Sequence, residues 1–174
     1  MVPFVGRPLM ESMERIEQLA SLGVMVEDHT RGRVRRGKRG QPLLTYFMGA
    51  TEVDRLSRGL VHAAEIFFAA GAREIYPMLS RKLVVSRADG VEPLRRQRIR
   101  PWDFVLTSFH PLGTCRMGRD PKKSVVDLDH QSHEVKGLFV VDGSTVPGPP
   151  AVNPQLTILA MADRAAERIA ERLG

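Results

Sequence analysis

Gly137-Leu138-Phe139-Val140-Val141-Asp142-Gly143-Ser144-Thr145-Val146-Pro147 decides the fold class of this chain. Four consecutive large apolar residues, bounded by a glycine and by an acidic turn, read as a strand that is apolar on both faces. That is the composition of a strand whose sheet is covered on both sides. Pro147, Pro149 and Pro150 then forbid regular structure up to Asn153. A helix is expected from Pro154 to Leu173, because proline is tolerated in a first turn and Leu159, Ala162, Ala166, Ile169 and Leu173 share one stripe. Asp163, Arg164, Glu167, Arg168, Glu171 and Arg172 occupy its other faces. A covered strand, a tight turn and a terminal amphipathic helix are α/β patterning.

Working back from this stretch, Ser124-Val125-Val126-Asp127 reads as a second strand, and Val105-Leu106-Thr107-Ser108-Phe109 as a third that delivers His110 at its end. Arginine is dense before this point, whereas glycine and proline turns separate apolar strands after it. The shift divides the chain into two parts, 1–106 and 107–174. The first part reads as α+β. Glu11 to Leu22 is expected to be a helix with Met13, Ile16, Leu19 and Ala20 on one face, ended by Gly23 and followed by a short strand at Val24-Met25-Val26. Gly32 to Phe47 reads as a hairpin turning at Gly37-Lys38-Arg39-Gly40. Thr51 is the expected N-cap of a helix from Glu52 to Ala70, whose stripe of Val53, Leu56, Leu60, Ala63, Ala64 and Phe67 marks a core face closed by Gly71. Gly90 and Pro93 interrupt any helix between Arg73 and Arg100, and that stretch has no single reading.

The 174 residues suffice to bury a core. No apolar run reaches the roughly 18 residues that cross a bilayer, and no apolar segment near Met1 resembles a secretory signal, so the expectation is a cytoplasmic protein without a transmembrane segment. Cys115 is the only cysteine, which excludes an internal disulfide. The net charge of +6 and the arginines of 31–39 and 95–100 raise a basic nucleic-acid-binding domain as an alternative. The first cluster lies at the turn and solvated edge of a hairpin, without interleaved aromatics, so no nucleic-acid partner is expected. His110, Cys115, His130 and His133 match no common zinc spacing, and no metal is expected. Ser144 lacks the glycine-flanked elbow of a hydrolase nucleophile.

Three motifs remain. His110 sits in Ser108-Phe109-His110-Pro111-Leu112-Gly113-Thr114-Cys115-Arg116-Met117-Gly118, Asp142 and Gly143 follow the decisive strand, and Asn153 heads the last helix in Val152-Asn153-Pro154-Gln155-Leu156-Thr157. Singly, each has an ordinary structural role: a packed histidine, a turn-closing aspartate and a helix cap. Together, in this order and spacing, they resemble the C-terminal signature of the glucose-methanol-choline (GMC) flavoprotein oxidoreductases, which oxidise alcohols with FAD. The resemblance is sharp over 107–174 and diffuse over 21–106, where Gly32-Arg33-Val34 and Phe68-Ala69-Ala70-Gly71-Ala72 are similar to bacterial members.

The resemblance implies that His110 is the catalytic acid/base and Asn153 its partner on the substrate oxygen. That division of labour is chemically sound. Removing a hydroxyl proton while the adjacent carbon gives up a hydride to flavin N5 needs a base that titrates near neutral pH, and histidine meets that need. It also needs a second hydrogen-bonding group that does not compete for the proton. Both must reach one oxygen at about 2.6–3.2 Å, so the two side chains are expected within roughly 4–6 Å of each other. Many members carry a second histidine where this chain has Asn153, which is nearer to the choline- and sterol-oxidising branches. By the same resemblance Asp142, Gly143, Asn153, Pro154, Gln155 and Leu156 meet FAD. Pro154 has no N–H, so Gln155 and Leu156 are the expected backbone donors at the positive end of the helix.

A complete member begins with a Rossmann unit whose Gly-x-Gly-x-x-Gly turn holds the FAD pyrophosphate. No strand, glycine turn and helix of that kind occurs here. The expectation is therefore the C-terminal part of a two-domain FAD-dependent oxidoreductase: 1–106 part of the substrate-binding domain, with a sheet and helices, and 107–174 the closing strand and helix of a Rossmann-like FAD domain. Its implied partners are an alcohol and an N-terminal FAD-binding half, in the same gene product or on a separate chain. A non-catalytic remnant or interaction module of the same family is the other alternative.

Overall fold

The computed structural model describes residues 5–80 and 83–174. Its elements are α1 (Arg7–Met13), the strands β1 (Arg33–Arg36) and β2 (Pro42–Thr45), α2 (Ala50–Ala69), β3 (Glu74–Ile75), β4 (Val85–Ser86), α3 (Glu92–Arg95) and α4 (Gln155–Leu173), with 3-10 turns at Ile16–Gln18, Lys38–Gly40, Pro101–Asp103 and Gly143–Thr145. The fold mixes helix and strand, and the named strands form two antiparallel pairs, β1 with β2 and β3 with β4. The chain forms two compact units: Met1–Arg31 with Tyr46–Leu106, and Gly32–Thr45 with Thr107–Gly174. Residues 32–45 thus group with the second unit and not with the residues that flank them.

The first unit is organised on α2. The helix starts at Ala50, one turn's edge earlier than the expected cap at Thr51, and its N-cap Gly49 contributes no side chain. Glu52, only 2% exposed, anchors that end instead. Its carboxylate accepts hydrogen bonds from the His29 N–H at 2.8 Å, the Thr30 N–H at 3.2 Å and the Thr30 hydroxyl at 3.0 Å. Arg55 donates to the Glu27 carbonyl at 3.0 Å, so residues 27–30 run along the first turns of the helix. Val24-Met25-Val26 is accordingly not a strand: Val24 lies directly against the bare Cα of Gly59. At the other end Gly71, at φ 96°, allows Ala72 to donate to the Phe67 carbonyl and Gly71 to the Phe68 carbonyl, a Schellman stop. Gly59→Ala is expected to lower stability by about 1–3 kcal/mol, although alanine is the better helix former, because its methyl group displaces Val24. Urea unfolding measures this; a stabilised variant would show that Val24 does not pack there.

Val61 and Ala64 of α2 and Leu94 of α3 form the buried cluster of this unit, with Leu60, Ile75, Leu83 and Val91 packed against it. The stretch 73–100, which has no single reading in the sequence, holds β3, β4 and α3. Two further expectations fail. The helix at 11–22 is instead α1 followed by a single 3-10 turn, with Met13, Ile16 and Leu19 exposed, because no surface of the described chain covers that stripe. The strand at 105–109 shrinks to a Leu79–Phe104 bridge and one Val105 N–H to Met78 carbonyl bond at 3.1 Å; beyond it the backbone has no neighbouring strand.

In the second unit β1 and β2 pair in register from Arg33 with Thr45 to Arg36 with Pro42, and every residue of both strands is exposed. Elsewhere the unit is held by single bridges, Met117 with Val126, Val126 with Ser132 and Gln131 with Phe139. Its interior is small: Val126, Thr145 and Ala165 are fully buried. The strand expected at Ser124–Asp127 is one such bridge. The covered strand at 137–141 is another, and Leu138 and Val141 stay 48% and 37% exposed, because this chain supplies neither flanking strands nor a second covering layer. α4 is present but turned relative to the expected stripe. Ala165 is buried and Ile158, Met161, Ala162 and Ile169 half-buried, whereas Leu159 and Ala166 face outward. The turn at 127–129 sets that rotation: Arg164 donates to the Leu128 carbonyl at 2.6 Å and Arg172 pairs with Asp129 at 2.8 Å.

Candidate active site

The loop after His110 is sewn to the turn that follows Asp142. Cys115 N–H donates to the Ser144 carbonyl at 2.9 Å, and Met117 N–H to the Thr145 carbonyl at 2.9 Å. Asp142 caps the 3-10 turn Gly143–Thr145, accepting the Ser144 N–H at 2.7 Å, while Thr145 returns its hydroxyl to the Asp142 carbonyl at 2.8 Å. The hydrogen bonds of Ser144, through its hydroxyl and its N–H, hold the Asp142 carboxyl below its ordinary range, so it is ionised at neutral pH.

Gly143 joins this turn to both other motifs. A Cβ there would lie 3.0 Å from the Ile158 side chain of α4 and 3.1 Å from Leu112, which follows His110 by two residues. Any larger residue would force the three segments apart. Three segments distant in sequence therefore meet at Gly143 through Leu112 and Ile158. His110, Asp142 and Asn153 are each exposed, and among the described residues neither the imidazole nor the carboxamide makes a hydrogen bond.

α4 opens differently from the cap expected of Asn153. Its N-cap is the buried Pro154, which has no donor or acceptor in its side chain, and Asn153 does not bond to the helix. The first backbone bond is Ile158 N–H to the Pro154 carbonyl at 2.8 Å. The N–H groups of Gln155, Leu156 and Thr157 have no partner among the described residues, so donors and the positive end of a five-turn helix point out of the unit. Phe109 and Leu156, 79% and 80% exposed, flank the same motifs with apolar surface. Exposed donors, an ionised carboxylate and bare apolar side chains suit a ligand that is partly apolar and partly polar.

The sequence names His130 only among residues that match no zinc spacing, and its structural role is not legible there. His130 is 1% exposed and held at φ 66°, a left-handed conformation that few non-glycine residues adopt. Its Nδ1–H donates to the Val140 carbonyl at 2.9 Å, and Val140 N–H returns a bond to the His130 carbonyl at 3.0 Å. His130 thereby ties the turn that clamps α4 to the 137–141 segment that leads into Asp142. The signal was Asp127-Leu128-Asp129-His130 itself, a turn sequence with a histidine where solvent would be expected. His133 is also structural, meeting the Ser124 hydroxyl at 3.0 Å and the Gly118 carbonyl at 3.1 Å.

Comparison with known proteins decides the lineage: a family model described as GMC oxidoreductase matches residues 28–162. The chain belongs to the GMC oxidoreductase family. It corresponds to the C-terminal portion. An uncharacterised GMC-type oxidoreductase of Mycobacterium tuberculosis is 34% identical over 168 residues, covering 92% of this chain and 25% of that protein. Long-chain-alcohol oxidase FAO3 of Arabidopsis thaliana is 30% identical over 185 residues, covering 97% of this chain and 24% of the relative. Among solved structures, pyridoxine 4-oxidase from Mesorbium loti matches with a TM-score of 0.58 and 28% identity, over 83% of this chain and 28% of that one. This GMC chain thus spans about a quarter of the length of the curated relatives it matches. Among the described residues no helix is long and apolar enough to cross a membrane.

Proposed function

We propose that this chain is the C-terminal portion of an FAD-dependent oxidoreductase acting on the CH–OH groups of alcohols, with His110 as the proton acceptor and Asn153 as the second ligand of the same hydroxyl. One observation supports the reading: the loop after His110, the Asp142 turn and the first turns of α4 meet at Gly143, and His110, Asp142 and Asn153 are exposed. FAD, when bound, supplies the hydride acceptor. The roles of this chain's own residues follow from their chemistry. The His110 imidazole is free to take the hydroxyl proton, since no other group of the described chain engages it. The Asn153 amide, released from helix capping, can orient the oxygen without titrating. Asp142 accepts hydroxyl hydrogen bonds, and Gln155 and Leu156 N–H donate to an electron-rich ring edge at a fixed position.

In this reading residues 107–174 are the closing part of the FAD domain and residues 1–106 part of the substrate domain, with the remaining FAD-binding half supplied outside these residues. The names of the relatives fit this reading: one is a long-chain-alcohol oxidase and another a pyridoxine 4-oxidase. Asn153→Ala in the holoenzyme is expected to lower the rate of flavin reduction by alcohol roughly 10- to 100-fold, as loss of one oriented hydrogen bond does, with little change in the pH profile. Stopped-flow reduction across pH measures this. A displaced profile at unchanged rate would contradict the assignment.

A further inference from the structure

We propose that the second unit carries an oxyanion cleft, formed by Arg116, Lys122 and Lys123, that takes a small phosphate-bearing molecule. The proposal does not depend on the flavin reading. A cleft of about 240 Å³ is lined by Gly113, Thr114, Arg116, Lys122, Lys123, Ser124 and Val125. Three of these residues are cationic and none is acidic.

The charge is largely uncompensated. Lys123 lies 3.8 Å from the Asp120 carboxylate in a pair whose side chains are 83% and 47% exposed, a geometry worth little in water. That carboxylate also accepts the Lys122 N–H at 2.9 Å. Among the described residues neither Arg116 nor the Lys122 ammonium has a carboxylate within ion-pair distance. About two positive charges therefore face one cleft, the charge that a phosphate dianion matches.

The backbone beneath these side chains is fixed. Val125 N–H donates to the Arg116 carbonyl at 2.9 Å, Gly118 N–H to the Val126 carbonyl at 3.0 Å, and Lys123 N–H to the Asp120 carbonyl at 2.9 Å. The Ser124 hydroxyl, bonded to the Asp120 carbonyl at 2.6 Å and to His133 at 3.0 Å, locks the same turn. The cations thus start from a preorganised frame, which lowers the ordering cost of binding. The arginines of β1 differ, because they stand along an open ribbon. A polyanion needs a track of charge, whereas these three cations line one depression.

The test is titration of the full chain with inorganic phosphate at constant ionic strength, followed by calorimetry or by amide shifts of residues 113–125. Saturable binding is expected, weakened about tenfold or more in Lys122→Ala/Lys123→Ala, since each charge-assisted bond is worth at least that factor. Arg33→Ala/Arg35→Ala, which removes the same net charge from the exposed hairpin, is expected to bind within about twofold of the parent. All four side chains are exposed, so both variants should retain the fold. Absence of saturation, or equal weakening in the two variants, would overturn the proposal.

Discussion

His110→Ala in the holoenzyme that contains this chain is expected to slow flavin reduction by alcohol roughly 10²- to 10⁴-fold, the usual contribution of a positioned general base, while FAD remains bound. The separation of the two effects follows from the structure. His110 makes no hydrogen bond among the described residues, whereas the turn assigned to FAD is held by Asp142, Ser144 and Thr145 through bonds that do not involve the imidazole. Truncation should therefore remove the proton acceptor and leave the frame of the turn intact. Anaerobic bleaching of the flavin absorbance, together with the flavin content of the purified variant, reads both quantities. Reduction at the parental rate would remove His110 from the chemistry, and loss of flavin without alcohol present would make it a binding residue.

Glu52→Ala is expected to produce the largest stability loss in the first unit, about 2–4 kcal/mol at neutral pH. The carboxylate satisfies two backbone N–H groups and a hydroxyl in a buried position, and truncation leaves those donors without a partner. Acid should erase the difference. The His29 N–H and the other donors hold Glu52 at about 2, against an ordinary value of 4.5, with burial opposing them. A group whose folded value is depressed contributes fully above its unfolded value, and that contribution is lost as pH falls through the folded one. The stability gap between parent and variant should accordingly be constant above about pH 4.5 and shrink steadily toward pH 2. Urea unfolding at a series of pH values measures it. A gap that persists undiminished at the acid end would mean that the charge on Glu52 is not what holds residues 29–30 to α2.

Glu52 also shows where sequence reading stops. Thr51 looked like the cap because local rules favour a hydroxyl immediately before an apolar stripe. The start of α2 is satisfied instead across more than twenty residues of sequence by Glu52 and Thr30, a long-range arrangement that no local pattern encodes. The same distinction separates the successes from the failures elsewhere. The hairpin, α2 and α4 were legible because turn glycines and helical periodicity are local. The strands at 105–109 and 137–141 were not, because a strand exists only through its neighbours, and their apolar residues are left exposed in this chain. The rotation of α4 depends on Arg164 and Arg172 reaching the 127–129 turn, so its buried face could not be read from periodicity alone.

The motifs of the proposed site stand out in the sequence, whereas the packing around them does not. His110, Asp142, Gly143 and Asn153 stand out in ordered, closely punctuated segments, and the structure joins the His110 loop, the Asp142 turn and α4 through Leu112, Gly143 and Ile158. What the sequence concealed was the support: a buried, strained histidine that links the α4 clamp to the segment before Asp142.

The most direct measurement is a structure of the holoenzyme with an unreactive alcohol analogue bound. The account predicts an imidazole nitrogen of His110 and the Asn153 amide each within about 2.6–3.2 Å of the same hydroxyl oxygen, with the Gln155 and Leu156 N–H groups turned toward the flavin. An imidazole and an amide that contact different ligands, or a flavin seated away from the start of α4, would contradict it.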